Sequence, residues 1–229
     1  MIKLLTGNIF NTKCETIVNT VNCVGVMGAG IAYEFRLRYP DMYLKYQNLC
    51  NNNLLQIGTL WIYKTNGNKS ILNFPTKNDW KQPSKVEYLE KGLQKFVDTY
   101  KEKNIKSIAF PLLGASHGGL EKEQSYSIMH KYLSGCDIDI EIWDFDPCAN
   151  DDLFLKYKKH FLLKSDKELS KETGIGISVI KKIKNALNNS AFNSMSSLLS
   201  VKGIGEKTLE KSFKYILTVE FSRDNSLFP

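Results

Sequence analysis

The chain has 229 residues, of which 42% are hydrophobic and 24% are charged, the composition of an ordinary globular protein. No apolar run approaches the roughly 18–20 residues that a membrane span needs, and no secretory signal is found, so we expect a cytoplasmic protein without membrane contact. The five cysteines show no CxxC spacing, which favours free thiols and predicts neither a metal site nor a cofactor.

The net charge of +7 is unevenly distributed. Residues 1–150 hold 17 Lys and Arg against 15 Asp and Glu, whereas residues 151–229 hold 14 against 9. A basic C-terminal part favours contact with a polyanion, although charge of this size also serves solubility alone.

Short β-branched runs alternate with helical stretches through the first two thirds of the chain. The runs that predict buried strands are 2–5, 16–21, 57–63, 70–74, 107–112 and 138–143. Helical spacing is found at 30–39, 42–50, 85–101 and 121–133. This alternation predicts an α/β fold in which a largely parallel sheet carries helices on both faces and binds ligands at the carboxyl ends of its strands.

The pattern changes after Pro147. Residues 151–162 predict one more helix, and from Glu168 to about Phe221 there is no strand pattern. Two Gly-Ile-Gly sequences, at 174–176 and 203–205, lie 29 residues apart. We therefore expect a large domain over residues 1–162 and a small all-α domain over 163–221 that is built from two repeats.

Three segments at predicted strand ends are rich in glycine or small polar residues. They are TGNIF at 6–10, VNTVNCVGVMGAGIA at 18–32 and FPLLGASHGGL at 110–120. Glycines let the backbone approach a ligand with its N–H groups, and the helix N-terminus that follows favours negative charge. One such loop alone would be an ordinary strand–helix turn, but two that face one crevice suit a diphosphate. Neither is a Walker P-loop, because the GK[ST] ending is missing.

The segment at 18–32 resembles the macrodomain signature, and LNFPTKNDW (72–80) and PLLGASHGGL (111–120) are similar to the DarG-like subgroup of that family. The resemblance covers nearly all of residues 1–147 and implies a three-layer α/β/α macrodomain with a mixed, largely parallel sheet and a cleft for ADP-ribose. It also implies a DNA ADP-ribosyl glycohydrolase that acts on modified thymidine in single-stranded DNA. A cognate DNA ADP-ribosyltransferase toxin is then a candidate partner.

The resemblance assigns roles to individual residues. Lys77 matches the lysine that DarG-like enzymes use for hydrolysis, and Asn22 and Glu121 join it in the implied catalytic set. Glu121 is a departure, since relatives outside bacteria carry an aspartate there, and Asn8 replaces an acidic residue that contacts adenine in many macrodomains. The implied ADP-ribose contacts are Gly7, Asn8, Ile9, Thr20, Asn22, Gly25, Val26, Met27, Gly28, Gly30, Thr76, Leu113, Gly114, Ala115, Ser116, His117, Gly118, Gly119 and Leu120.

Elementary chemistry supports a role for Lys77. Breaking the glycosidic bond of ADP-ribose develops positive charge at the anomeric carbon and negative charge on the leaving atom. A lysine can form a Schiff base with the ring-opened sugar or donate a proton to the leaving group. Without the resemblance, a solvated surface lysine is the simpler interpretation. Cys23 is a weaker candidate nucleophile, because no basic group lies near it in sequence.

The C-terminal segment resembles a tandem helix-hairpin-helix, and its second unit is similar to the DNA-binding domain of the competence protein ComEA. In that motif the Gly-Ile-Gly turn presents backbone N–H groups to DNA phosphates. The first unit departs from it at Thr173, where a proline is usual. The implied DNA contacts are Gly174, Gly176, Ser178, Lys181, Lys182, Gly203, Gly205, Lys207 and Thr208, with further phosphate contacts from Lys184, Lys202 and Lys211.

No residue set predicts readout of base edges, so DNA binding should be independent of sequence and sensitive to salt. A module for packing or protein interaction is the alternative for these hairpins. For the large domain, a non-catalytic reader of ADP-ribose and a macrodomain that removes ADP-ribose or acyl groups from proteins are the alternatives to a DNA glycohydrolase that serves repair or defence.

Overall fold

The structure is a computed structural model that describes residues 1–224, the last five of them by their backbone only. It divides into two compact units, Met1–Asp146 and a second that begins at Pro147. The boundary expected after residue 162 therefore lies too late, because helix α5 (Asp152–Leu163) packs against helices of the second unit. Within the described residues, no helix has both the length and the apolar character to cross a membrane.

The first unit is built on a mixed sheet. In chain order its strands are β1 (Ile2–Gly7), β2 (Thr16–Asn22), β3 (Trp61–Lys64), β4 (Ser70–Lys77), β5 (Ser107–Pro111) and β6 (Asp139–Phe145). Their order across the sheet is β1-β6-β5-β2-β4-β3, and all neighbours are parallel except β3 and β4. The predicted mixed, largely parallel sheet is confirmed.

Helices cover both faces of this sheet and complete the three predicted layers. They are α1 (Gly30–Arg38), α2 (Pro40–Asn51), α3 (Val86–Thr99) and α4 (Lys122–Leu133). Successive strand residues alternate between two apolar cores, as a two-residue side-chain period requires. Ile17 and Ile71 enter the core that contains residues of α1 and α2, whereas Val18 and Leu72 enter the core that contains residues of α3 and α4.

The prediction for β3 was wrong in extent and in burial. The strand begins at Trp61 instead of Ile57, because a turn occupies the preceding residues: Thr59 N–H donates to the Gln56 carbonyl at 2.9 Å, and Gly58 has φ +84°. Its residues are half-buried or exposed, since β3 is an edge strand that pairs with β4 alone.

In the second unit, all regular elements of the described residues are helices. After α5 come α6 (Asp166–Thr173), α7 (Ile177–Leu187), a 3-10 helix (Ser196–Ser200) and α8 (Glu206–Asp224), which continues past the expected end near Phe221. Pairs of buried residues recur at the 29-residue offset of the two Gly-Ile-Gly turns: Leu169 with Leu198, Ile175 with Ile204, Ile180 with Leu209, and Leu187 with Ile216. The repeated sequence is therefore also a repeated packing pattern.

Two lysines at equivalent repeat positions fasten the two turns to each other. Lys211 of α8 donates to the Gly174 carbonyl at 2.5 Å, and Lys182 of α7 donates to the Lys202 carbonyl at 3.2 Å. Each repeat thus supplies the ammonium group that satisfies a carbonyl in the turn of the other. These two hydrogen bonds connect each turn to a helix of the other repeat.

Gly92 of α3 provides a test of the core that lies between the sheet and helices α3 and α4. A Cβ atom at this position would lie 2.2 Å from Phe74 Cζ, a ring that is fully buried. We expect Gly92→Ala to destabilise the first unit by about 1–3 kcal/mol through overpacking, despite the better helix propensity of alanine. Urea unfolding followed by tryptophan fluorescence reports on this unit, because Trp61, Trp80 and Trp143 all lie in it.

Gly135→Ala is the matched control, since a Cβ atom there meets nothing within 4 Å. Equal unfolding midpoints for the two variants would contradict the packing argument.

Candidate functional site

The candidate site lies at the carboxyl edge of the sheet, where β2, β4 and β5 end in three loops. Within the β2–β4 ladder, Asn22 is the partner of Lys77, after a register shift between Val21 and Asn22 that skips Thr76. The strand ends therefore bring two of the three predicted catalytic residues to adjacent positions.

Asn22 organises the first glycine loop, residues 22–30. Its side-chain oxygen accepts the N–H groups of Val24 at 3.1 Å and Val26 at 3.2 Å, and its amide nitrogen donates to the Val26 carbonyl at 2.5 Å. The Tyr46 hydroxyl donates to the same side-chain oxygen at 3.0 Å, and burial raises the pKa of that hydroxyl so that it stays protonated. Asn22 therefore holds the loop in shape and is a positioning residue in this structure.

The second glycine loop, residues 112–121, is held from both sides. Leu120 N–H donates to the Gly114 carbonyl at 3.0 Å, Ser84 N–H donates to the Gly118 carbonyl at 2.9 Å, and the buried Ser125 hydroxyl donates to the Leu113 carbonyl at 2.7 Å. Ser116 has φ +52°, a left-handed conformation that costs free energy in a non-glycine residue. Strain of this kind persists only where neighbouring contacts determine the backbone.

The two glycine loops meet at His117. A Cβ atom on Gly30 would lie 2.9 Å from His117 Cδ2, and Gly30 also has φ +57°, so both space and conformation require glycine there. The close approach joins the N-terminus of α1 to the second loop. The two loops therefore lie in contact at the carboxyl edge of the sheet.

Lys77 crosses from the end of β4 to the second loop. Its ammonium nitrogen donates to the His117 carbonyl at 2.6 Å, and the residue is half-buried. Thr76, directly before it, is buried. Lys77 is thus a cation placed where the β2, β4 and β5 loops converge.

The third predicted catalytic residue is not brought to Lys77. Glu121 is exposed and occupies the N-cap position of α4, where its side chain makes no capping hydrogen bond. Over the residues that the structure describes, Lys77 and Glu121 form no ion pair. The Glu121 side chain therefore lies in solvent in this structure.

The end of β1 lies at the same edge of the sheet, because β1 is parallel to β6, β5 and β2. Asn8 and Ile9 are buried, and the Asn8 side chain accepts the Phe10 N–H at 3.0 Å as the cap of a 3-10 helix. Phe145, at the end of β6, is the ladder partner of Gly7 and is 64% exposed. Sequence reasoning did not single out Phe145, because only the β1–β6 pairing brings this residue next to the TGNIF segment.

Cys23 does not have the properties of a nucleophile. Burial raises the pKa of its thiol to about 11, with a smaller contribution in the same direction from Cys50. The thiol therefore stays protonated near neutral pH, and a protonated thiol is a weak nucleophile.

In the second unit, the two turns expose backbone at the start of α7 and α8. A Cβ atom at Gly176 or Gly205 would meet nothing within 4 Å, whereas one at Gly203 would lie 2.6 Å from the Lys182 ammonium. These two helix N-termini are therefore open to a ligand, as the predicted phosphate contacts require.

Three of the lysines predicted to contact DNA already have protein partners. Lys182 and Lys211 brace the turns, and Lys184 forms an ion pair with Asp166 at 2.8 Å. In this structure their ammonium groups bind backbone carbonyls or a carboxylate of the same unit. No ion pair within the described part of the chain involves the other three lysines, Lys181, Lys202 and Lys207.

Comparisons with known proteins agree with this geometry. The Macro domain family model matches residues 18–129. The chain is 38% identical over 156 residues to the DNA ADP-ribosyl glycohydrolase of Thermus aquaticus. The aligned region covers 66% of this chain and 42% of that protein. The macrodomain of Mycobacterium tuberculosis DarG is 39% identical with a TM-score of 0.61, and the match covers 62% of this chain and 97% of that one.

A third relative comes from Thermosipho africanus. Its DarTG structure in complex with ADP-ribose is 33% identical to this chain with a TM-score of 0.60, covering 63% of this chain and 41% of that one. The curated protein from the same organism is named a DNA ADP-ribosyl transferase–DNA ADP-ribosyl glycohydrolase fusion protein. The chain spans 42% and 41% of the length of the two curated relatives.

The raised pKa of Cys23 has a measurable consequence. Alkylation by iodoacetamide needs the thiolate, so its rate at Cys23 should rise about tenfold per pH unit from pH 7 and level off only near pH 11. The measurement is peptide mass spectrometry of protein alkylated at several pH values. The same residue in urea-unfolded protein is the control and should level off near pH 8.5. A plateau at the same pH in the folded protein would show that the thiol is not buried as described.

Proposed function

The chain belongs to the macrodomain family, and from that premise we propose that its first unit hydrolyses the bond between ADP-ribose and a base of DNA. The observation that carries the proposal is the position of Lys77, whose ammonium group reaches the second glycine loop opposite the first. The names of the Thermus aquaticus relative and of the Thermosipho africanus complex support the reaction and the ligand.

The two glycine loops are the proposed diphosphate cradle. Their backbone N–H groups and the N-terminus of α1 favour a negatively charged ligand. Asn22 fixes the shape of the first loop in advance, so binding does not require the loop to be ordered at that moment. The distal ribose then lies beside Lys77, where β4 ends.

Adenine is proposed to bind at the end of β1. The Asn8 oxygen is engaged by Phe10 N–H, which leaves the amide nitrogen as the group that can donate to a ring nitrogen of adenine. The exposed ring of Phe145 offers a stacking surface beside it. An amide donor in place of an acidic acceptor changes which edge of the base is read.

Two chemical roles fit Lys77. In the first, the Lys77 ammonium group gives a proton to water, the resulting amine attacks the anomeric carbon, and the bond to the base breaks as a proton of the amine passes to the departing base. The sugar ring then opens to an imine, and water hydrolyses the imine to release ADP-ribose and the lysine. In the second, the ammonium group donates a proton to the departing base while water attacks the same carbon. Reduction with cyanoborohydride during turnover traps the imine on Lys77 only in the first case.

Replacing Lys77 tests the proposal. We expect Lys77→Ala to slow release of ADP-ribose from an ADP-ribosylated single-stranded oligonucleotide by about 10²- to 10⁴-fold, the usual contribution of a positioned acid–base group. Product is measured by chromatography. The affinity for free ADP-ribose, measured by calorimetry, should change little, which shows that the variant is folded. Equal release by wild type and Lys77→Ala would refute the catalytic role.

Glu121→Gln is the companion variant. Loss of turnover in this variant would show that the substrate recruits the exposed carboxylate, and unchanged turnover would leave Lys77 as the acting group.

The fused Thermosipho africanus relative indicates where the substrate comes from. We propose that a DNA ADP-ribosyltransferase supplies the modified base that this chain restores. A non-catalytic reader remains the second candidate, because the Asn22 amide is turned inward and Glu121 stays in solvent. A reader would bind free ADP-ribose and leave the conjugate intact.

For the second unit we propose sequence-independent binding of DNA phosphates by the two glycine turns. The open helix N-termini at Gly176 and Gly205 and the excess of basic residues support it. Lys181, Lys202 and Lys207 are the proposed phosphate contacts, since Lys182, Lys184 and Lys211 are used by the fold. DNA binding here keeps the first unit near its substrate.

A double substitution of the two open glycines tests this binding. Neither site has steric conflict with a side chain, so we expect Gly176→Val with Gly205→Val to stay folded and to weaken DNA affinity tenfold or more, because the branched side chains keep phosphate away from the N–H groups. Fluorescence anisotropy with a labelled oligonucleotide measures it at several KCl concentrations.

Lys181→Ala with Lys207→Ala is the second arm. It should reduce the slope of log affinity against log salt by about 2, one for each phosphate contact. The matched control for the glycine variants is Gly135→Val in the first unit, another open position. DNA affinity that survives both double substitutions would favour a protein-interaction module instead.

A further inference from the structure

The turn that follows β4 holds an aromatic ring in solvent close to Lys77. Trp80 lies three residues after Lys77 and is 51% exposed, whereas Trp61 and Trp143 pack against an apolar core. Single exposed apolar residues are common on proteins, so exposure alone carries no conclusion. The fixed position of the ring and the charge beside it are what distinguish Trp80.

The turn is held rigidly by hydrogen bonds. Lys81 N–H donates to the Asp79 side chain at 2.9 Å, and Gln82 N–H donates to the Asp79 carbonyl at 3.1 Å. The turn is also fastened to both glycine loops, through Cys23 N–H to the Asn78 carbonyl at 3.1 Å and through Ser84 N–H to the Gly118 carbonyl at 2.9 Å. The backbone that carries Trp80 is therefore held next to both glycine loops.

A cation accompanies the ring. The Lys81 ammonium nitrogen lies 5.4 Å from the centre of the Trp80 ring, and no ion pair in the described part of the chain involves it. The acidic residue of the turn, Asp79, is engaged by Lys81 N–H. An exposed aromatic ring next to a cation is the combination with which proteins hold single-stranded nucleic acid, the ring on a base and the cation on the backbone.

We propose that Trp80 stacks on a base next to the ADP-ribosylated nucleotide and that Lys81 contacts a phosphate of the same strand. The inference rests on the proposed function of the Lys77 site and adds a contact for the DNA strand itself. The Cα atoms of Lys77 and Trp80 lie at most about 10 Å apart, because only three residues separate them, and this spacing is compatible with contact to a neighbouring nucleotide. Because a protein ring stacks only on an unpaired base, this contact selects single-stranded substrate.

The experiment compares three ligands: an oligonucleotide with one internal ADP-ribosylated thymidine, the ADP-ribosylated nucleoside, and free ADP-ribose. Trp80→Ala should raise KM for the oligonucleotide by about 5- to 150-fold, the range measured for loss of one stacked base. Its KM for the nucleoside and its Kd for ADP-ribose should stay within twofold of wild type. Trp80→Phe should recover most of the loss, since it keeps a ring.

Phe145→Ala is the matched variant, because it removes the other exposed ring of the cleft. It should weaken all three ligands to a similar degree, as expected for a residue that contacts adenine. An oligonucleotide KM unchanged by Trp80→Ala, or an equal loss on oligonucleotide and nucleoside, would overturn the proposal.

Failure of the proposed function is a separate outcome. If wild type releases no ADP-ribose, the glycohydrolase proposal fails, while the affinities of wild type and Trp80→Ala for the uncleaved oligonucleotide still decide whether Trp80 binds the strand.

Discussion

The candidate site depends on the conformation of the loop between β2 and α1, residues 23–29, which belongs to neither element. A loop that leaves a strand and enters a helix carries N–H and carbonyl groups that no ladder satisfies, and burying them without partners costs free energy. The Asn22 side chain supplies three of the missing partners, and Tyr46 in turn holds Asn22. These hydrogen bonds hold the loop in shape without a ligand.

The same end of the sheet positions Lys77. Because β2 and β4 run parallel and end together, the lysine begins next to Asn22 and extends toward the loop that follows β5. Its present partner is a neutral carbonyl, so the ammonium charge is not cancelled by a carboxylate. An ammonium group without a carboxylate partner beside these loops is suited to the negative charge that develops on a leaving group. Glu121 is exposed and does not neutralise this charge in the structure.

The sequence was sufficient for the α/β class, for five of the strands and for the loops that meet in the crevice. Hydrophobic runs and glycine positions are local patterns, so they can be read along the chain. The edge strand β3 was misjudged because its burial depends on which strands flank it. Phe145 and the domain boundary were missed for the same reason, since both follow from packing between distant segments. The roles of Lys182 and Lys211 could not be predicted either. The sequence does not show whether a lysine donates to a backbone carbonyl of its own chain or to a phosphate.

Under the proposed function, joining the two units in one chain raises the effective affinity for modified DNA even where each unit binds weakly. Sequence-independent DNA binding has a typical Kd of 10⁻⁴–10⁻⁶ M at physiological salt and gives no preference for a modified base. A macrodomain alone would have to find rare ADP-ribosylated sites by diffusion in three dimensions. Tethering converts the second contact into an intramolecular one, whose effective concentration is set by the connection and not by the abundance of the modification. Under the proposed function, selectivity remains with Lys77 and the glycine loops of the first unit, while the basic turns of the second unit supply residence on DNA.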